Sequence, residues 1–157
     1  MLILGVDPGT ALIGLGLVEY QNKKVSLKEF KCLKTDRQAD TAGRLADLFE
    51  QLDNEIKKYR PDLIAVEDIF FFKNLKTVIK VSQARGVILL AAARRKIKIK
   101  EFTPLQVKQA LTGYGRAEKK QIQQMVKNIF CLKEVPQPDD AADALAIAVC
   151  CAHSLRI

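Results

Sequence analysis

The chain has 157 residues, 48% hydrophobic and 28% charged, a composition that excludes a disordered tail or a coiled coil. A chain of this length buries about 70% of its unfolded surface, enough for one hydrophobic core, so a single domain over 1–157 is expected. Its 26 basic residues against 18 acidic ones give a net charge of +8, a field that favours polyanionic partners.

The longest apolar runs, 86–93 and 144–152, fall well short of the ~20 residues that span a bilayer. An acid arrives at Asp7 before any signal-peptide core can form, and the expected location is the cytoplasm. Four cysteines without a C-x-x-C spacing, and one histidine, supply no zinc set of the usual kind. The cysteines are expected to be buried small hydrophobes in a reducing compartment.

Leu-Ile-Leu-Gly-Val-Asp at 2–7 is an apolar run ending in Asp7-Pro8-Gly9-Thr10, which suits a buried strand followed by a type II turn. Stretches 13–20 and 25–33 read as two more strands joined through 21–24, an antiparallel meander. Gly14 and Gly16 alternate in the second of these strands. They admit either a close approach by another backbone or a ligand, or a tight bend in the sheet.

From Thr41 the period becomes helical, with Leu45, Leu48, Phe49, Leu52 and Ile56 on one face until Arg60-Pro61-Asp62 stops it. An apolar strand at 63–66 ends at Glu67, a helix covers 75–94, and a further strand covers 97–102. That helix carries two apolar stripes, Leu75, Val78, Ile79, Ser82, Gly86 and Leu89 on one side and Val81, Ala84 and Ile88 on another. One stripe suits the sheet; the other calls for a partner subunit or for cover from its own chain. Helices at 104–111 and 117–130 flank the loop 112–116, and a last helix starts near Pro138-Asp139 and reaches about His153. Strands first, then strand and helix in alternation, then helices, indicate an α/β fold with a mixed sheet.

The positive charge is concentrated. Between Arg94 and Lys133 eleven basic residues face two acidic ones, a net of +9 that leaves the remainder at −1. Such a patch, which includes Lys108, Arg116, Lys119, Lys120 and Lys127, is the footprint of a nucleic-acid-binding surface, the alternative being a solvated lysine face. In the helix 117–130, Ile122, Met125, Val126 and Ile129 form the buried face. Lys120 and Lys127 lie seven apart on another, and the helix N-terminus is expected to offer amides to a phosphate. Phe70-Phe71-Phe72 precedes Lys73; three consecutive aromatics cannot all face one core. An exposed one stacks on an unpaired base for ~1–3 kcal/mol, unless it packs against the following helix.

Acids also occur where acids are unexpected. Asp7 and Glu67 end apolar strands, and Asp143 interrupts the apolar helix 141–152, with Asp140 one turn before it on the same side. If the two strand ends lie side by side under that helix, four carboxylates converge. Like charges so close are unfavourable unless cations lie between them, and hard oxygen donors suit Mg²⁺ or Mn²⁺. Two such ions support in-line attack on a phosphodiester. Taken singly, Asp7 also suits a turn, and Asp139 or Asp140 a helix cap.

Six segments in collinear order carry a resemblance: Gly5-Val6-Asp7-Pro8-Gly9-Thr10, Val66-Glu67-Asp68-Ile69-Phe70, Ser82-Gln83-Ala84-Arg85-Gly86, Thr103-Pro104-Leu105-Gln106-Val107-Lys108, Ala117-Glu118-Lys119-Lys120 and Asp140-Ala141-Ala142-Asp143-Ala144-Leu145. Over essentially the whole chain the sequence resembles the bacterial RuvC family of Holliday-junction resolvases. The resemblance implies a ribonuclease-H-like fold, with a mixed five-stranded sheet flanked by helices on both faces, and a homodimer formed through the helix 75–94. It further implies nicking of two symmetry-related strands of a four-way DNA junction with Mg²⁺ or Mn²⁺, two ions per active site, leaving a 5′-phosphate and a 3′-hydroxyl. By matching position, Asp7, Glu67, Asp140 and Asp143 would hold the metal, Lys108 and Lys119 would contact phosphate near the active site, and Phe70 would stack on a base. Coupling to a branch-migration complex is also implied. Asp68 and Asp139 are extra acids that the resemblance does not assign as ligands, although Asp139 with Asp143 also fits one helix face. Competing readings are an actin-like or sugar-kinase ATP-binding lobe, which shares Asp-x-Gly-Thr after a first strand, a non-catalytic junction-binding module, and a related enzyme acting on RNA.

Overall fold

The first strand, β1 (Leu2–Asp7), has Gly5 and β-branched Ile3 and Val6 among its central residues and is buried on both faces. The computed structural model describes residues 1–9, 11–69 and 75–155. Next come β2 (Leu12–Gln21) and β3 (Lys24–Lys34). They are joined by a two-residue turn in which Asn22 and Lys23 have φ of 51° and 62°, a turn whose twist matches that of paired strands. α1 (Thr41–Tyr59) starts where the Asp40 carboxylate accepts from the Gly43 amide at 2.7 Å. It stops at Arg60, which takes the left-handed conformation just before Pro61. The chain continues through β4 (Leu63–Glu67), α2 (Leu75–Arg94), β5 (Lys98–Phe102), α3 (Pro104–Thr112), α4 (Lys119–Ile129) and α5 (Asp139–Ser154).

The sheet order is β3-β2-β1-β4-β5. The first three strands form the expected antiparallel meander, while β1, β4 and β5 run parallel. Pairing of β1 with β4 runs from Ile3 opposite Leu63 to Val6 opposite Val66, so the two strands end side by side in Asp7 and Glu67. Because side chains alternate along a strand, Ile3, Gly5 and Asp7 share one face of the sheet with Leu63, Ala65 and Glu67. Leu4, Val6, Ile64 and Val66 share the other, where they pack with Leu48, Leu52 and Ile56 of α1 and Ala84 and Ile88 of α2. Burial of each of these larger side chains contributes about 1.5–3 kcal/mol.

On the first face lie α3, α4 and α5. Every residue of α5 from Ala144 to Ala152 is buried, and Gly5, Gly14 and Gly16 explain how. A Cβ on Gly16 would stand 2.7 Å from the Leu145 amide nitrogen, one on Gly5 2.9 Å from that of Ala148, and one on Gly14 would strike the Asp140 carbonyl oxygen. Of the two readings of the alternating glycines, close approach of a second backbone is the correct one, and the backbone belongs to α5.

Some boundaries and details differ from the sequence expectation. Gly9 does not occupy the left-handed region that a type II turn requires at that position; it is needed because a Cβ there would collide with the Leu12 carbonyl oxygen. Cys150 and Cys151 are buried as expected, but Cys131 is exposed. On α2 the buried stripe is Ala84, Ile88, Ala91 and Ala92, and Leu90, at 53% exposure, joins Leu75 and Ile79 on the outer face. Among the described residues no helix is long and apolar enough to cross a membrane.

Candidate active site

Three elements deliver the acids. Strand register sets Asp7 beside Glu67 on the face covered by α5, and the glycine row seats α5 so that its first turn, with Asp139 and Asp140, lies at the C-terminal end of the central strands. Asp143 follows one turn later, on the same side as Asp140. The Gly14 position abuts the Asp140 backbone, and a Cβ on Gly9 would lie 3.7 Å from Asp140 Oδ1. The end of β1, the following turn and the start of α5 therefore form one packed corner.

Electrostatics show that the four carboxylates feel one another. Burial, then the charges of Glu67, Asp143 and Asp140, push the Asp7 carboxyl well above its ordinary value, with Lys119 pulling the other way. Glu67 is pushed up to about 7, by burial first and then by Asp143, against the pull of Lys108 and Lys119. Burial also raises Asp143, with Lys119 opposing. Lys119 Nζ lies 3.0 Å from Asp143 Oδ2 and 3.4 Å from Asp139 Oδ2. Burial works against its charge, but these two carboxylates outweigh that effect and hold its ammonium protonated.

Lys108, on α3, and Lys119, the first residue of α4, line a cleft of about 190 Å³ together with Glu67 and Asp143; Val107, Ile122, Ala146 and Ile147 form its apolar floor. A low-dielectric floor strengthens the interaction of these charges with any ion or phosphate that enters. Arg116 and Lys120 are exposed nearby, and Lys127 is half-buried in the last turn of α4. The helix opens at Lys119 and not at Ala117. Acidic Glu118 stands at its N-cap, with its own amide donating to Gln121 Oε1 at 2.7 Å. Phe70 and Lys73 lie outside the described residues.

The two extra acids separate clearly. Asp139 pairs with Lys119. Asp68 turns toward Arg85 of α2, 3.3 Å from its Nη2, and accepts from the Ile69 amide at 2.9 Å. Arg85 also pairs with Glu101 of β5. This Arg85 link between α2 and the ends of two strands was missed from the sequence, because its partners are sixteen or more positions apart; an arginine among apolar residues on α2 was the available signal. Cys32, expected to be buried like the other cysteines, is half-buried and paired with Gly14 across the sheet. Burial and the Asp140 and Asp7 charges push its thiol up, which keeps it neutral.

The donor chemistry fits a hard divalent cation. Carboxylate oxygens are the available donors at the corner, and their mutual repulsion is the condition a cation relieves. Among the described residues no three acidic, histidine or cysteine side chains form a ready-made cage. Mg²⁺ does not require one, since it keeps several waters and binds through one or two carboxylates plus substrate phosphates.

Known proteins point the same way. Residues 3–151 match the family model described as "Crossover junction endodeoxyribonuclease RuvC". Proteins with that description from Heliobacterium modesticaldum and Pelotomaculum thermopropionicum are 53% and 54% identical to the chain. The alignments cover 99% and 98% of it and 96% and 93% of the relatives. The Thermus thermophilus RuvC structure superposes with a TM-score of 0.91 at 36% identity, covering 99% of this chain and 96% of that one. The same protein in complex with Holliday junction substrate gives 0.89 at 34% identity, with the same coverage. The yeast mitochondrial Holliday junction resolvase Ydc2, at 15% identity, shares the fold with a TM-score of 0.69. With its mixed sheet of ribonuclease-H-like order and its match over nearly the full length, the chain belongs to the RuvC family of crossover junction endodeoxyribonucleases.

Proposed function

We propose that the chain resolves four-way (Holliday) DNA junctions by paired symmetric nicks, each leaving a 5′-phosphate and a 3′-hydroxyl, in recombination and repair in the cytoplasm. The observation that carries this reading is the meeting of Asp7, Glu67, Asp140 and Asp143 beside Lys108 and Lys119, in a chain of a junction-nuclease family. Residues 1–157 act as one domain, because the acids come from the first strand and the last helix alike.

Asp7, Glu67, Asp140 and Asp143 would hold Mg²⁺ or Mn²⁺, two ions per site. When bound there, such ions lower the pKa of a water and neutralise charge on the attacking and leaving oxygens of the phosphodiester. The remaining work belongs to side chains. Lys119, kept charged by Asp143 and Asp139, acts as a cation toward a non-bridging phosphate oxygen and not as a base. Lys108 offers a second positive charge across the cleft from it. Hydrolysis joins the water oxygen to phosphorus and breaks the bond to the 3′ oxygen, which takes up a proton. Arg116, Lys120 and Lys127 extend the positive surface along the flanking backbone, and Phe70 and Lys73 serve the unpaired bases and their phosphates.

Paired nicks need two sites, and α2 supports a homodimer. Leu75 is 75% exposed, Ile79 57% and Leu90 53%, and between them a Cβ on Gly86 would meet nothing within 4 Å. A stripe of large apolar residues with a gap at its middle suits a second helix crossing at Gly86. An ATP-binding lobe is disfavoured because Asp7 faces three other carboxylates. A non-catalytic module is disfavoured because repulsive buried acids have no structural use.

The test uses purified protein and a mobile synthetic four-way junction. Cleavage is expected with Mg²⁺ and not with a chelator present, and Asp7→Asn is expected to bind the junction while its cleavage falls by at least 10²-fold. Cutting of linear duplex at an equal rate, or cleavage retained by that variant, would overturn the reading.

A further inference from the structure

A second group of cations lies outside the basic stretch 94–133, on the opposite face of the sheet from the carboxylates. There a cleft of about 260 Å³ opens between the turn after β1, the end of β3, the start of α1 and the outer part of α2. Arg37, Arg44 and Lys80 line it, opposed by Asp40. Three cations against one carboxylate, which accepts from Gly43 at the α1 N-terminus, give the lining of the cleft a net positive charge.

Its cations are held in place by the fold. Arg44 Nε donates to Thr35 Oγ1 at 3.3 Å, and Thr35, 7% exposed, is the one buried polar residue among those described. The Thr35 amide in turn bonds the Ala11 carbonyl at 3.3 Å, tying the end of β3 to the β1–β2 connection. Asp36 Oδ1 accepts from the Gln38 amide at 2.8 Å, a local turn that sets Arg37 at the rim. Arg37 and Lys80 are both exposed and face the cleft from opposite sides.

Position relative to the carboxylates decides what this cleft is for. Gly9 lines it, and the same Gly9 sits against the metal corner, where a Cβ would come within 3.7 Å of Asp140 Oδ1. Gly9, just beyond the C-terminal end of the central strand β1, is thus shared by the two sites. A strand with its scissile phosphate at the carboxylates that continued past Gly9 would bring its next phosphates toward Arg37 and Lys80. We infer that the cleft seats the sugar-phosphate backbone of the junction strand a few nucleotides from the cut. The inference rests on the resolvase reading and adds to it a phosphate contact on the face away from the known basic stretch. Because backbone phosphates carry no sequence information, the contact adds affinity and register but no base preference.

The experiment measures binding of full-length protein to a synthetic four-way junction, without divalent metal, as a function of salt. Removal of two phosphate contacts in Arg37→Ala/Lys80→Gln is expected to flatten log K against log salt by about 2, and Lys80→Gln alone by about 1. Both side chains are exposed, so the melting temperatures should stay within a few degrees of wild type. The control Lys24→Gln/Lys28→Gln removes the same charge from the far part of β3 and is expected to leave the slope unchanged. An unchanged slope in the cleft variants, or an equal flattening in the control, overturns the inference. So does loss of stabilisation by inorganic phosphate together with an unchanged DNA slope, which would mark a site for a free anion. If wild type shows no preference for the junction over linear duplex, the resolvase reading falls, whereas the slope comparison on either DNA still decides the role of the cleft.

Discussion

Asp7 shows how a single residue can oppose stability in the absence of its ligand. Its carboxyl is surrounded by protein and by three other acids, so replacing it by the isosteric amide removes a repulsive, desolvated charge. Asp7→Asn is expected to raise the melting temperature of metal-free protein by about 3–6 °C, in step with ~1–2 kcal/mol for a chain of this size, while it abolishes cutting. Glu67 adds a pH dependence. With its folded value raised to about 7 from an ordinary 4.5, the folded state binds more protons than the unfolded one between those values. The associated stability is fully present below about 4.5 and is lost as pH rises through about 7. Differential scanning of metal-free protein should show this decline and Glu67→Gln should flatten it; Mg²⁺ should stabilise wild type more at pH 8 than at pH 6. At this scale the sequence was informative where an acid broke an apolar run, as at Asp7, Glu67 and Asp143. It was silent on Arg37 and Lys80, because nothing in either local segment shows that the 42 residues between them return the chain to the same cleft.

Among the elements, α5 depends on residues that lack side chains. Gly16→Ala would set a methyl group 2.7 Å from the Leu145 amide, a clash with backbone that cannot be relieved by a rotamer change. A loss of about 2–3 kcal/mol is expected, visible as a melting temperature lower by 5–10 °C and, in the surviving folded protein, as slower cutting because Asp140 and Asp143 move with the helix. The alternating glycines marked a close approach, but sequence alone could not say whether a helix or a ligand approached. Helix and strand positions were readable to within two residues, since the 3.6 and 2.0 periodicities of 45–56 and 2–7 are strong and Pro61, Pro104 and Pro138 punctuate them. The start of α4 was less readable, because Ala117 and Glu118 are compatible with either side of a helix boundary.

At the level of the whole molecule, symmetry becomes the functional requirement. The proposed pair of nicks on opposed strands would need two corners at a fixed separation, and the exposed apolar stripe of α2 is the surface proposed to fix it. Ile79→Glu is expected to convert a dimer to a monomer in analytical ultracentrifugation and to uncouple the two nicks, so that singly nicked junctions accumulate. A dimer that survives this change would place the interface elsewhere. The bulk charge of +8 gave the class of partner but not its path, because a total charge has no geometry. The folded chain has cations on both faces of the sheet, Lys108 and Lys119 beside the acids on one and Arg37, Arg44 and Lys80 on the other.

The seating of α5 backbone directly on β1 and β2 has one more consequence. Ordinary helix-on-sheet packing slides on a cushion of side chains whose rotamers can change, whereas a backbone resting on glycines has no such bearing. Amide protons in the middle of α5 should therefore exchange with deuterium only when the entire chain unfolds. The positions of Asp140 and Asp143 relative to Asp7 are then set by backbone contact and not by side-chain packing.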